Sequence, residues 1–284
     1  MKESTLKHVE QIFSSHILPF FGHIKIREIS PPVVQQFVNH QFETVITANK
    51  RFMYLKKVFK FAKKQGYIHE NPAELVDVPR TLKKKKKTSD EENFYTKEEL
   101  LQFLDLAKEK LPFLWFVFFR LLAYTGLRKG EALALTWDDV TLDKNIISIN
   151  KTVSRGEKGH IISDTPKTYK SNRIVLIDKE TASFIDKLDK SSTYVFPNSK
   201  GSFITPSQPV RQLHRVVDNT DLKYVTPHGF RHTHCSMLFS ARVSIPEVQD
   251  RLGHEDVKTT LDIYNHLFQQ DKEDALNRFL DYLK

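Results

Sequence analysis

The sequence predicts a mainly helical protein in two parts, a helical N-terminal domain followed by a mixed α/β domain with a small antiparallel sheet. Three observations predict this. Apolar residues recur at helical spacing through most of the 284 residues. Residues 145 to 177 alternate instead, the pattern of strands. Between the parts lies TLKKKKKTSDEEN, residues 81 to 93, a block of five lysines with no spaced apolar residues to bury, which reads as a linker. Residues 1–80, 81–94 and 95–284 are therefore taken as first domain, basic linker and second domain. The length agrees, because single cores stop growing at roughly 250–300 residues.

In the first domain Leu6, Val9 and Phe13 recur at helical spacing, and Pro31-Pro32 after Ser30 opens a second helix through Phe37 and Val38. A third helix runs from Asn49 to Gln65. Phe52, Leu55, Val58, Phe59 and Ala62 form its apolar stripe, and Lys56, Lys57, Lys60, Lys63 and Lys64 crowd the other side. Such lysines serve solubility or contact phosphates. Lys83, Lys84, Lys85, Lys86 and Lys87 in the linker extend the same positive stretch and favour phosphate.

In the second domain Thr96 and Glu99 form a capping-box pattern at a helix start, and Thr125-Gly126 stops the apolar helix of LPFLWFVFFRLLAY, which Arg120 interrupts. NIISINKTVSRGEKGHIIS alternates around a glycine-containing turn, and RIVLI follows, giving one small antiparallel sheet. The remainder is mainly helical. Ser244 with Pro246 starts one helix, and Leu276, Phe279, Leu280 and Leu283 give the last one an apolar stripe that packs on its own domain or docks on a neighbour.

The net charge of +9 points to an anionic partner, nucleic acid before membrane. Cys235 is the only cysteine, so no internal disulfide forms, and a reducing cytoplasm is the plain reading. The first residues lack the apolar core of a signal peptide, and no apolar run approaches the ~18 residues of a membrane span.

Four segments place cations or imidazoles beside turns or on one helix face: TGLRKGE, DTPKTYKSNR, TPHGFRHTH and LGHEDVKTTLDIYNH. In the first, Glu131 lies one helical turn from Arg128 and can hold its guanidinium. In the third, the i, i+3 spacing from His228 to Arg231 puts imidazole and guanidinium on one face, which His232 shares. His228 and His232 also have the i, i+4 spacing of a zinc helix, with Cys235 and His254 as further ligands. The intervening Glu is missing, and an arginine among metal ligands is unfavourable. Lys167 lies in the turn between candidate strands. In the fourth, Tyr264 follows a Gly-His step and a short Thr-rich helix. Two arginines, a lysine, two histidines and a tyrosine near turns suit displacement at a phosphodiester.

These four segments, in this order, resemble those of the tyrosine recombinases, the phage and transposon integrase family. The N-terminal ILPFFGHIKIREISPPVVQQFVNH is similar to the family's SAM-like core-binding domain, and the chain from about residue 95 to its catalytic domain. The resemblance implies a C-shaped clamp on double-stranded DNA recombination sites. It implies that Arg128, Lys167, His228, Arg231 and His254 are catalytic, with Tyr264 as nucleophile and a 3′-phosphotyrosyl intermediate. It further implies no cofactor or metal, and a homotetramer on DNA joined through the C-terminal helix. Accessory DNA-bending or excision factors and a bacterial, nucleoid-associated cytoplasmic location belong to the same expectation. A chromosome-dimer-resolving recombinase, a type IB topoisomerase and a catalytically silent DNA-binding regulator are the rival readings. Many integrases of this type carry a further N-terminal domain for arm-type DNA sites, whereas this sequence starts at what resembles the core-binding helices, as expected of either a truncated or a short recombinase.

Overall fold

The computed structural model describes residues 3–44, 48–79, 93–156, 159–163 and 172–253, together with Leu261 and Leu280. The chain divides into two compact units, one of residues 1–87 with Arg155–Gly159 and the other of residues 88–154 and 160–284. No helix among the described residues is long and apolar enough to cross a membrane.

The first unit is helical. α1 (Glu3–Ile12) runs through a π-helical turn at Phe13–Ile17 into the short α2 (Leu18–Phe21), and α3 (Pro31–Thr44) and α4 (Ala48–Lys64) follow. Proline suits the start of α3, where the first backbone N–H groups have no helical partner. Ile12, Ile17, Phe21, Val34, Phe37, Val38 and the α4 residues Phe52, Leu55 and Phe59 make the core. Phe21 stands edge-on to Phe59, with ring centroids 6.4 Å apart. Val58, read as part of the α4 stripe, lies at its half-buried margin, and all five lysines of that helix are exposed. Downstream, the Gln35 side chain binds both backbone groups of Asp77, donating to its carbonyl and accepting from its N–H at 2.8 Å each. That pairing ties the exit of the unit to α3.

The second unit opens with α5 (Lys97–Lys110), whose capping box is formed: the Thr96 N–H donates to Glu99 Oε2 at 2.7 Å and the Glu99 N–H to Thr96 Oγ1 at 3.2 Å. α6 (Phe113–Thr125) is apolar nearly all round and packs against α5, against α7 (Lys129–Ala134), and against α8 (Lys179–Asp186) and α10 (Gly229–Ser240). Gly126, at φ 64°, ends α6 in the left-handed region. Arg120 is buried within this apolar helix with its polar end paired. It donates to Thr181 at 3.0 Å, pairs with Asp178 at 3.2 Å and Glu180 at 2.7 Å, and lies 4.1 Å from the centre of the Tyr124 ring.

The strands differ from the single sheet that alternation predicts. β1 (Val140–Thr141), β2 (Ile146–Ile149) and β5 (Arg173–Leu176) form one antiparallel sheet in the order β1-β2-β5, while β3 (Thr152–Gly156) and β4 (Gly159–Ser163) pair separately. The register sets Ile147 opposite Val175, both buried against the helices, and leaves Ile174 and Leu176 on the outer side of the edge strand. α9 (Gln208–Val217) and α11 (Ile245–Leu252) complete the described elements.

Three contacts hold the beginning of this unit to α10 and the loop before it. Asn93 and Thr226 exchange two hydrogen bonds, at 3.0 and 2.9 Å. The Tyr95 N–H donates to Thr233 Oγ1 at 2.9 Å, and the Tyr95 hydroxyl donates to the Lys223 carbonyl at 3.0 Å.

Candidate active site

The site is built around the C-terminal end of α11. A helix ends in carbonyls with no helical partner and a partial negative charge, so cationic donors are favoured there. Three guanidiniums supply them on successive residues. Arg173 Nε donates to the Arg251 carbonyl at 3.0 Å, Arg231 Nη2 to that of Leu252 at 2.6 Å, and Arg128 Nη2 to that of Gly253 at 3.4 Å. Ser244 and Glu247 cap the other end of α11, and Gly253, at φ 64°, closes this one.

Glu131 links two of these arginines. Its carboxylate accepts from the Arg128 backbone N–H at 2.9 Å and from Arg128 Nη1 at 2.8 Å. It also accepts from Arg173 at 2.8 Å on one oxygen and 3.3 Å on the other. Burial alone would push this carboxyl up; the hydrogen bonds and charges of Arg173 and Arg128 outweigh it and hold Glu131 below the usual carboxylate range. The i, i+3 pairing expected of Arg128 and Glu131 is thus present, with Arg173 as a second cation. The Arg128 side chain remains 40% exposed, whereas that of Arg173 is 5% exposed.

Arg231 is far more enclosed, at 2% exposure. Its Nη1 donates to the Gly126 carbonyl at 2.9 Å, so it ties the turn after α6 to the end of α11. Burial, with the nearby charge of Arg128, brings its pKa down to about 9, which still leaves it cationic at neutral pH. His228 is exposed at the N-cap of α10, with its ring edge-on to His232 at 4.8 Å, and Arg231, one turn on, is buried. Cys235, the third residue of the zinc alternative, is fully buried. No cluster of three or more metal-binding side chains occurs among the described residues.

Two further side chains complete the network. His234 Nδ1 lies 2.9 Å from the Ala123 carbonyl and Nε2 accepts from Arg251 Nε at 3.0 Å, a pattern that fits the neutral ring with its proton on Nδ1. Burial, reinforced by the Arg251 charge, lowers its pKa to about 3. Arg251 Nη2 also donates to the carbonyls of Tyr124 and Leu176 at 3.0 Å each, joining the end of α6 to β5. Neither residue is picked out by the sequence reading, nor is Arg173. Arg173 closes the DTPKTYKSNR segment, and His234 is the last histidine of TPHGFRHTH, so both lie inside segments already singled out.

Comparison with known proteins follows the same segments. The profile of the "Phage integrase family" matches residues 93–271. The chain belongs to this family. A second profile, "Phage integrase, N-terminal SAM-like domain", matches residues 1–42. Among curated relatives, the ICEBs1 integrase of Bacillus subtilis (strain 168) is 28% identical over 299 residues, covering 99% of this chain and 79% of its own. The integrase of Staphylococcus phage L54a is 26% identical over 304 residues, covering 95% and 83%. Among solved structures, the Tn1549 transposon integrase in complex with transposon right end DNA superposes with a TM-score of 0.78 at 20% identity, covering 98% of this chain and 94% of that one. A lambda integrase dimer bound to a COC' core site gives 0.68 at 16% identity, covering 93% and 89%. These likenesses establish the integrase fold, a mainly helical N-terminal part followed by a mixed α/β part with an antiparallel sheet. Site-specific tyrosine recombination is the activity that this integrase family carries.

Within that fold the structure brings Arg128, Glu131 and Arg231 together, and sets His228 and His232 at the entrance to α10. Lys167, His254, Tyr264, Lys83 to Lys87 and all of the C-terminal apolar stripe except Leu280 lie outside the described residues. Leu280 is 46% exposed.

Proposed function

We propose that this protein cuts and rejoins duplex DNA at defined sites of a mobile element, with Tyr264 as nucleophile. A phenol with a pKa near 10 is only about one part in a thousand ionised at pH 7, equivalent to roughly 4 kcal/mol, so its proton must be taken as it attacks. His228, exposed at the head of α10, is suited to accept or guide it. Attack places negative charge on the non-bridging oxygens, which Arg128 and Arg231 stabilise by charge-assisted hydrogen bonds, with His254 as a further donor. Lys167 protonates the leaving 5′ oxygen. The phosphotyrosyl link keeps the energy of the broken bond, so a 5′ hydroxyl from another strand reverses the step without ATP.

The arginines and the lysine fill the role that metal ions have in many phosphoryl transfers, and no cofactor is assigned. Residues 1–80 act as the core-binding domain and residues 95–284 as the catalytic domain, joined by the basic linker 81–94. The lysines of α4 and of the linker contact phosphates as the two domains close on DNA as a clamp. Tetramer assembly runs through the C-terminal helix. One observation carries this reading: Arg128 and Arg231 both converge on the two carbonyls directly before His254.

A nicked suicide duplex tests it, recovered from a randomised pool by covalent capture. Wild-type protein is expected to give a protein-DNA band on a denaturing gel, Tyr264→Phe none, and EDTA no change. A band retained by the phenylalanine variant would refute the assignment of the nucleophile. Binding without any adduct would favour the silent regulator.

A further inference from the structure

We infer that Arg173 is a positioning residue for strand cleavage, acting through Glu131 and the end of α11 to fix the guanidinium of Arg128. The inference rests on the recombinase reading above and assigns a role to a side chain that reading does not use. The Arg173 side chain is 5% exposed, and its guanidinium is held by protein groups. Its donors point to the site's framework: Nη1 and Nη2 hold both oxygens of Glu131 at 3.3 and 2.8 Å, and Nε holds the Arg251 carbonyl at 3.0 Å. Glu131 holds Arg128 in turn, and Arg128 reaches the Gly253 carbonyl two residues past the one that Arg173 binds. A closed circuit results: β5 to α7, α7 to the end of α11, and α11 back to β5.

Such a circuit fixes two things at once. It sets the rotamer of the half-exposed Arg128, and it sets where the chain leaves α11 toward His254. Only a planar fork with several N–H groups can bind a carboxylate on both oxygens and a carbonyl beside it; lysine offers one point charge. Removing Arg173 leaves Glu131 buried with Arg128 from the α7 cap as its direct partner, and with the charge of Arg231 on α10 nearby. Glu131 then takes up a proton more readily and releases Arg128 at a higher pH than in the wild type.

The test uses the full chain and the nicked duplex recovered from the randomised pool, in single-turnover cleavage from pH 5 to 9. Arg173→Ala and Arg173→Lys are expected to cleave roughly 100-fold more slowly, the loss associated with a misplacement of about 1 Å. Duplex affinity should stay within about threefold, because phosphate contacts made elsewhere supply most of the binding. The acid limb of the rate profile should move to higher pH, a change that a general loss of fold would not produce. Combining Arg173→Ala with Glu131→Gln should cost little more than the larger single loss, because both act on one circuit.

Wild-type rate and an unmoved acid limb in either variant would overturn the inference, as would a loss lying wholly in duplex affinity or fully additive effects. Where the alanine variant lacks a cooperative melt, the lysine variant decides by the same criteria. Failure of the wild type itself to form an adduct would remove the recombinase reading and this inference together. A normal wild-type adduct with unaffected Arg173 variants would remove this inference alone.

Discussion

Glu131→Gln is the substitution whose cost the structure defines best. The wild-type carboxylate is 6% exposed and accepts from two guanidiniums and one backbone N–H. The amide keeps the shape but places an NH2 group against at least one of those donors. It also leaves the 5%-exposed Arg173 without its counter-charge. Breaking a buried ion pair on one side costs about 3–5 kcal/mol. With a urea slope of about 2–3 kcal/mol/M, the unfolding midpoint should drop by roughly 1.5 M. Tryptophan fluorescence reports this directly, because Trp115 and Trp137, the only two in the chain, both lie in the second unit.

The pH dependence supplies a second reading of the same substitution. Glu131 is held below its unfolded value, so its contribution is fully present above the unfolded pKa of about 4.3 and is lost as pH falls through the lower folded value. Glutamine does not titrate, so the gap between the two proteins should be widest near pH 7 and narrow below about pH 4. A gap under 1 kcal/mol at pH 7, or one unchanged by acid, would refute the account of Glu131 as the central anion of the site.

Other substitutions probe separate parts of the argument. Gly126→Ala should destabilise by about 2–4 kcal/mol in denaturant melts, since φ is +64° and a Cβ would stand 2.5 Å from Leu252 and 2.8 Å from His234, both buried; a neutral result would mean the turn relaxes freely. Lys60→Gln on the exposed side of α4 should weaken duplex binding similarly on all sequences and reduce the slope of log affinity against log salt by about one, and an unchanged slope would take Lys60 off the DNA-facing surface. Cys235 is fully buried, and burial pushes its thiol up to about 12, so labelling by a thiol-specific disulfide reagent should proceed only as fast as the protein opens; reaction at the rate of a free thiol would contradict this packing.

How much of this was legible depended on the range of the interaction that decides each feature. The stripe of α4, the Thr96 cap, the glycine stop after α6 and the Arg128–Glu131 pair are set by neighbours three or four positions away, and pattern reading finds them. The sheet is different. Alternation marks β2, β3, β4 and β5 alike, yet β2 passes over β3 and β4 to pair with β5, and local periodicity does not record a pairing across such a gap. The same limit hid the framework of the site. Arg173 and Arg251 bind carbonyls 78 and 127 positions away, and a carbonyl has no signature in a sequence. Arg231 was visible as part of its motif, whereas its inward orientation depends on Gly126 and Leu252, which only the fold brings near.

The anchoring of Asn93 and Tyr95 bears on how the molecule can be dissected. A fragment beginning at Thr96 would still contain every helix of the second unit but would lose Asn93 from Thr226 and Tyr95 from Thr233 and Lys223. The first turn of α10, with His228 at its head, would then lack its outer brace. A fragment carrying the second unit alone must therefore retain Asn93 to Tyr95, and a cut placed only by where α5 starts would remove part of the support of α10.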